Sequence, residues 1–394
     1  MRKNAQIYYF GTYGFPVGYA QIERQKLISK GLMAQGCDVT IISRYGIHAD
    51  TSDAEILSTG NYEGIKFKYA TGSPYRPQSF LKRNWQKIVG GINEFRMIRA
   101  KKRNGGLDYI ILSTNYFYNI FIYRIFSKLT GVPLLLDTVE HWTSFSDSKD
   151  KNWFIRWDNK MYDNQSFNYV DKVLCISDFL MSHTEKLAPE KPKLKVPAMV
   201  DFSKFKAIKS IDEKYLLYCG HAAYWEVLFF ILEAFEKIDN KDYFLYLVSH
   251  GNPEDMKRVK DRIAASPKKD RIKIFSKLPY SDLVDLYMSS KALLIPLRNS
   301  AQDIARFPHK TGEYTASSKV IVSTNIGELK NYFSDKENAL LAKDYDVDQY
   351  AESLAYVVNN PDKAAEIGIR GHLVGKKEFD HLSLGKKIFD FMNA

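Results

Sequence analysis

The chain has 394 residues, 45% hydrophobic and 26% charged, a globular balance sized for two domains that excludes disordered, collagen-like and disulfide-scaffold classes. Its net charge of +11 is uneven: residues 1–200 carry +10 and residues 201–394 only +1, which points to an anionic partner for the first half. Cys37, Cys175 and Cys219 lie far apart in apolar runs without C-x-x-C spacing, as expected in a reducing compartment.

Arg2 and Lys3 precede an apolar stretch, but Gly11, Gly14, Pro16 and Gly18 interrupt it, so it reads as a strand and loop rather than a signal peptide. The longest apolar run, Tyr116 to Leu129, contains Arg124 and falls short of the roughly 20 residues that span a bilayer. A cytoplasmic protein is expected, soluble or peripheral on the inner face of the plasma membrane.

In chain order, strands are predicted at Gln6–Phe10, Asp38–Ser43, Tyr109–Ser113, Leu134–Asp137 and Lys172–Ile176, with a helix from about Gln21 to Gln35 that Gly36 ends. The Pro-containing stretch from Lys191 to Phe205 reads as a linker. A second series follows at Tyr215–Cys219, Tyr243–Ser249, Ile272–Ile274, Ala292–Pro296 and Val320–Thr324, again separated by helices. Strands alternating with helices give an α/β protein of two doubly wound, Rossmann-like domains facing across a cleft. The boundaries expected are 1–190 for the first domain, 191–210 for the linker, 211–375 for the second domain and 376–394 for a helix crossing back.

The loop Gly11-Thr-Tyr-Gly14-Phe-Pro-Val-Gly18-Tyr-Ala follows a strand and precedes a helix, where glycines let backbone approach a ligand. Its spacing is not G-x-G-x-x-G, and Arg44 stands where a dinucleotide site needs an acid, so a surface turn is an equal reading.

The strongest motif is Arg306-Phe-Pro308-His-Lys310-Thr-Gly-Glu313-Tyr314-Thr-Ala316-Ser-Ser-Lys319, leading into the strand at Val320 and the turn at Asn325-Ile-Gly327. It resembles the donor-binding region of glycosyltransferases with the two-domain GT-B fold, in particular the large retaining group numbered 4. Val170 to Ser177, Val196 to Phe205, Tyr218-Cys-Gly220 with Glu233-Ala-Phe235, and Leu278 to Tyr287 agree with that family in order and spacing. The resemblance implies transfer of a sugar from a nucleoside diphosphate sugar, without a metal or other cofactor, and with retention.

It also implies that Gly18, Gly220, His221, Arg306, Lys310, Glu313 and Tyr314 bind the donor. Lys310 and Arg306 would meet the diphosphate beside a helix start, and Glu313, at i+3 from Lys310, would take paired ribose hydroxyls. An ion pair between Lys310 and Glu313 on a solvated helix is the competing reading. Three positions depart from the family pattern: Ala305 replaces the first Glu of E-x7-E, and His221 and Glu226 replace an Arg and a Lys aimed at the diphosphate. They leave open a catalytically silent partner protein; a nucleotide-sugar epimerase is a further alternative.

In the first half, Leu134-Leu-Leu-Asp137-Thr-Val-Glu140-His141 runs from a buried-strand pattern into a polar turn. The resemblance makes Glu140 and His141 candidates for catalysis at the acceptor or the transferred sugar. Residues 81–103 place Leu81, Trp85, Ile88, Val89, Ile92 and Phe95 at helical spacing among eight cations, including Lys82, Arg83, Lys87, Arg96 and Arg99, opposed only by Glu94. Such a helix suits an anionic membrane surface or an acceptor, and equally a core helix with its cations in water. The partners expected are a nucleotide sugar, a glycan or lipid-linked acceptor and an anionic membrane surface. Nucleic acid is not among them, since no reader motif accompanies the cations. Asp344-Tyr-Asp346-Val-Asp348 is read as a helix cap rather than a metal site.

Overall fold

The computed structural model describes residues 4–11, 13–18, 20–48, 57–142, 152–206, 209–239 and 241–394. Thr12 and Tyr19 of the glycine loop lie outside them. The chain divides into two compact units, Met1–Met199 with His381–Ala394, and Val200–Asp380.

The first unit contains β1 (Gln6–Phe10), α1 (Ala20–Met33), β2 (Asp38–Ser43), β3 (Thr59–Tyr62), β4 (Ile65–Tyr69), α2 (Phe80–Arg103), β5 (Tyr109–Leu112), α3 (Phe117–Thr130), β6 (Leu134–Thr138), α4 (Trp153–Gln165), β7 (Lys172–Cys175), α5 (Asp178–Leu187) and β8 (Lys193–Lys195). Its sheet runs β3-β4-β2-β1-β5-β6-β7-β8, parallel throughout except for β3 against β4. The order reverses between β1 and β5, the position where doubly wound sheets take ligands. At that point Gly11 has φ +98° and a Cβ there would lie 2.1 Å from the Ser113 carbonyl oxygen, so this glycine serves a close approach of the chain to itself.

Local signals account for the helix ends. Gly131 ends α3 in the left-handed conformation, and the Ser177 side chain accepts from Leu180 N to start α5. The start of α3 has no cap of its own. Asp158 of α4 accepts from the backbone N–H groups of Phe117 and Tyr118 at 3.1 and 2.9 Å.

The second unit contains β9 (Lys214–His221), α6 (Trp225–Lys237), β10 (Tyr243–His250), α7 (Pro253–Ala264), β11 (Ile272–Phe275), α8 (Tyr280–Ser289), β12 (Ala292–Ile295), α9 (Ala301–Ala305), α10 (Lys310–Ala316), β13 (Val320–Thr324), β14 (Leu340–Ala342), α11 (Val347–Asn359) and α12 (Pro361–Glu378). The sheet is fully parallel in the order β11-β10-β9-β12-β13-β14, reversing between β9 and β12. Leu216, Leu245, Leu294 and Val322 pack its faces against Leu228, Ile231 and Phe235 of α6 and Leu354 of α11. Asp346 caps α11, accepting from Gln349 N at 3.0 Å, and Asp348 pairs with Lys237 at 2.6 Å.

The last helix, α13 (His381–Asn393), is part of the first unit. Leu384, Ile388 and Met392 join Ile28 and Leu32 of α1 in that unit's core. The two helices cross at glycines: a Cβ on Gly31 would lie 2.7 Å from Gly385 Cα, and one on Gly385 would lie 2.3 Å from Gly31 Cα. Lys172 adds a bond to the Phe391 carbonyl at 2.7 Å.

The boundary between the units falls at Met199/Val200, so the expected linker 191–210 is divided between them. Its first part is ordered structure, because β8 extends the sheet beside β7 and Val196, Ala198 and Met199 are fully buried. The second boundary falls at Asp380/His381 rather than at residue 376.

Candidate functional site

In the second unit the candidate residues gather at the C-terminal ends of β9, β10 and β12. Gly220 is buried and His221 exposed at the end of β9. The His221 and His250 rings meet edge to face, centroids 5.0 Å apart, because parallel β9 and β10 are in register at these two residues. Burial holds the His250 imidazole below its usual pKa, with further lowering from the His221 ring and the Lys310 charge.

Lys310 opens α10 and is half-buried. Glu313 is buried and its carboxylate oxygens accept from the Tyr280 and Tyr287 hydroxyls at 3.1 and 3.3 Å. Arg306 donates to the Tyr224 hydroxyl at 2.9 Å and lies over the same ring, 5.7 Å from its centroid. Tyr314 is fully buried and packs edge to face on Tyr287 at 5.3 Å.

Two neighbours were not anticipated. Arg298, just beyond β12, also faces Tyr224, 6.0 Å from the ring centroid. It bonds Asp303 at 2.9 Å and Glu226 at 3.2 Å. The acid at Glu226, where the family pattern has a lysine, is therefore answered by an arginine from another strand end. A residue directly beyond a central parallel strand is the signal that could have marked Arg298.

In the first unit Gly18 is exposed ahead of α1 and lies against Ile22. Glu140 and His141 follow β6, whose buried Asp137 is held by Arg24, Nη2 to Oδ1 at 2.8 Å, and by the Tyr9 hydroxyl at 2.8 Å. Glu140 is half-buried. The His141 Nε2 lies 3.7 Å from Asp163 Oδ2, and its ring meets Phe179 and His183 edge to face at 5.2 and 4.8 Å. Burial lowers the His141 pKa, His183 adds to that, and Asp163 opposes it, so a neutral, oriented imidazole stands at this strand end at pH 7.

The α2 helix turns an unexpected face inward. Gly90, Glu94 and Ile98 are its buried line, and Glu94 bonds Arg44 at 2.6 Å. Leu81, Trp85, Ile88 and Ile92 are 77, 66, 57 and 48% exposed, so the apolar stripe is not core. Phe121, Ile125 and Leu129 of α3 and Trp153, Phe154 and Trp157 of α4 are exposed as well. Lys82, Lys87, Arg96 and Arg99 are exposed along α2, and Arg83 is half-buried. No helix among the described residues is long and apolar enough to cross a membrane, and no group of His, Cys, Asp or Glu among them could hold a metal ion.

Two doubly wound units, each a parallel α/β sheet with one reversal of strand order, give the GT-B fold. Residues 200–373, nearly all of the second unit, match the family of glycosyl transferases group 1. Solved structures agree over the full length. Sucrose-phosphate synthase from Thermosynechococcus elongatus superposes with a TM-score of 0.78 at 14% identity, covering 99% of this chain and 98% of that one. Anabaena HepE in complex with UDP and glucose gives 0.71 at 12%, covering 99% and 100%. A glycosyltransferase from Rickettsia africae gives 0.69 at 18%, covering 99% and 98%. No curated protein is significantly similar to the chain in sequence.

Proposed function

We propose that the protein transfers a sugar from a nucleoside diphosphate sugar to a glycan or lipid-linked acceptor, with retention at the anomeric carbon. The setting proposed is the cytoplasmic face of a membrane, in the synthesis of a cell-surface polysaccharide or glycolipid. The observation that carries the reading is the His221–His250 pair at the strand ends of the unit that matches glycosyl transferases group 1, with the Lys310 charge acting on His250.

Loss of the anomeric bond leaves negative charge on a diphosphate, and fixed cations aimed at that charge lower the barrier. Lys310 and Arg306 supply the charge, and His221 a hydrogen bond. Glu313, already oriented by two tyrosine hydroxyls, suits a pair of ribose hydroxyls. Glu140 and His141 act at the acceptor side, the neutral imidazole as a proton acceptor or hydrogen-bond donor. The reaction so written calls on no metal. The exposed apolar stripe and cations of α2 support docking on an anionic bilayer, each basic residue adding about 1 kcal/mol.

A panel of nucleotide sugars, beginning with UDP-glucose, tests this by thermal shift on the purified protein. A bound donor at a hundredfold its Kd stabilises by about 2.7 kcal/mol, a readily measured rise in Tm. Failure to bind any of them removes the enzyme reading and leaves the silent partner protein.

A further inference from the structure

The first unit has two adjoining cavities of opposite character. One, about 460 Å3, opens between α2 and α3 and is lined by Ile88, Ile92, Phe95, Ile122 and Phe126. The other, about 350 Å3, is lined by Arg76, Arg83 and Lys87 together with Asn84. Tyr45 and Lys87 border both, so the apolar groove opens directly onto the basic one. Their volumes are those of small-molecule sites. Arg83 gives one N–H to the Gln78 carbonyl at 2.9 Å, and none of the three cations has a carboxylate partner among the described residues.

An apolar groove ending at three cations with no carboxylate partner among the described residues is complementary to a molecule with a hydrocarbon tail and a compact anionic head. Guanidinium groups pair with phosphate oxygens two at a time, which favours a phosphate over a diffuse anion. The exposed stripe of Leu81, Trp85 and Ile88 lies on the same helix, so a lipid could pass from a bilayer into the groove without its tail crossing water.

We infer that these cavities bind a phosphate-bearing lipid, with one hydrocarbon chain between α2 and α3 and the phosphate at Arg76, Arg83 and Lys87. The inference rests on the reading that the first unit receives the acceptor, and it makes that acceptor a lipid phosphate.

Titration of the full chain with dodecyl phosphate below its micelle concentration tests it, with dodecyl maltoside and inorganic phosphate supplying tail and charge separately. Dodecyl phosphate is expected to bind at least tenfold more tightly than either. Gly91 lines the apolar cavity, and a Cβ there meets nothing within 4 Å, so Gly91→Phe has room to start a side chain that occupies the groove. This variant should weaken dodecyl phosphate at least tenfold and leave inorganic phosphate unchanged, while Arg83→Glu weakens both. Equal binding by wild type and Gly91→Phe, or dodecyl phosphate binding no tighter than inorganic phosphate, overturns the inference. Tight dodecyl phosphate binding by a protein that binds no nucleotide sugar would sustain the cavity assignment while removing the transferase reading.

Discussion

Arg24 on α1 grips Asp137 at the end of β6 through both Nε and Nη2, at 3.0 and 2.8 Å from Oδ1, with the two side chains 3% and 1% exposed. The same guanidinium bonds the Pro197 carbonyl at 3.0 Å, so one ion pair ties α1, the Glu140–His141 turn and the chain leaving β8. Asp137→Ala leaves the Arg24 charge buried and unanswered, and denaturant unfolding should show a loss of about 3–5 kcal/mol.

Lys310→Ala removes the charge that opens α10 in the second unit. Calorimetry should give a nucleoside diphosphate affinity lowered about tenfold, equivalent to 1.4 kcal/mol. Glu313→Ala should weaken nucleosides with a ribose more than their deoxyribose counterparts, since a carboxylate suited to two hydroxyls loses its selectivity with them. Wild-type affinity in both variants would sink the donor-site assignment.

The histidine pair makes donor binding depend on pH. His250 titrates below the usual imidazole value of about 6.5, so it is neutral at pH 7, and an anion bound beside it raises that pKa. Binding then takes up a proton, and affinity for a nucleotide sugar should strengthen as pH falls from 7.5 through 6.5 toward the free-state pKa. The diphosphate of a nucleotide sugar has no proton of its own to gain over this range. His250→Gln should flatten the slope measured by calorimetry at several pH values.

The proposed membrane docking through α2 predicts a salt signature. Cosedimentation with vesicles containing anionic lipid should fall as salt rises, and Leu81→Ser with Trp85→Ser should reduce it further at every salt concentration. Both side chains are mostly exposed, so the thermal stability of the pair should match wild type.

At the crossing of α1 and α13, Gly385→Leu forces a side chain into the backbone of Gly31. Thermal unfolding should show a loss of about 1–3 kcal/mol.

Much of this fold was legible as strand runs separated by helix-length segments. The ten predicted strands are all present, with Gln6–Phe10, Asp38–Ser43 and Val320–Thr324 as expected to the residue. The sequence reading passed over β3, β8 and β14, which are three or four residues long, and β4, whose alternating Ile65, Phe67 and Tyr69 point inward. Strands of three or four residues are too short to show an alternating pattern.

The orientation of α2 was illegible for a different reason. Its buried line includes the segment's one acid, and that choice is made by Arg44, fifty residues earlier in the chain. Pairings over such distances decide which stripe of an amphipathic helix turns inward. The same holds for Tyr224 between two arginines and for Glu313 beneath two tyrosines.

The return of α13 to the first unit has a consequence for synthesis. Leu384, Ile388 and Met392 complete a core whose strands all lie before residue 196. On the ribosome, the second unit has all of its elements before the first does. The N-terminal half must therefore wait with an uncovered apolar face on α1, and maturation of the chain runs from its middle outward.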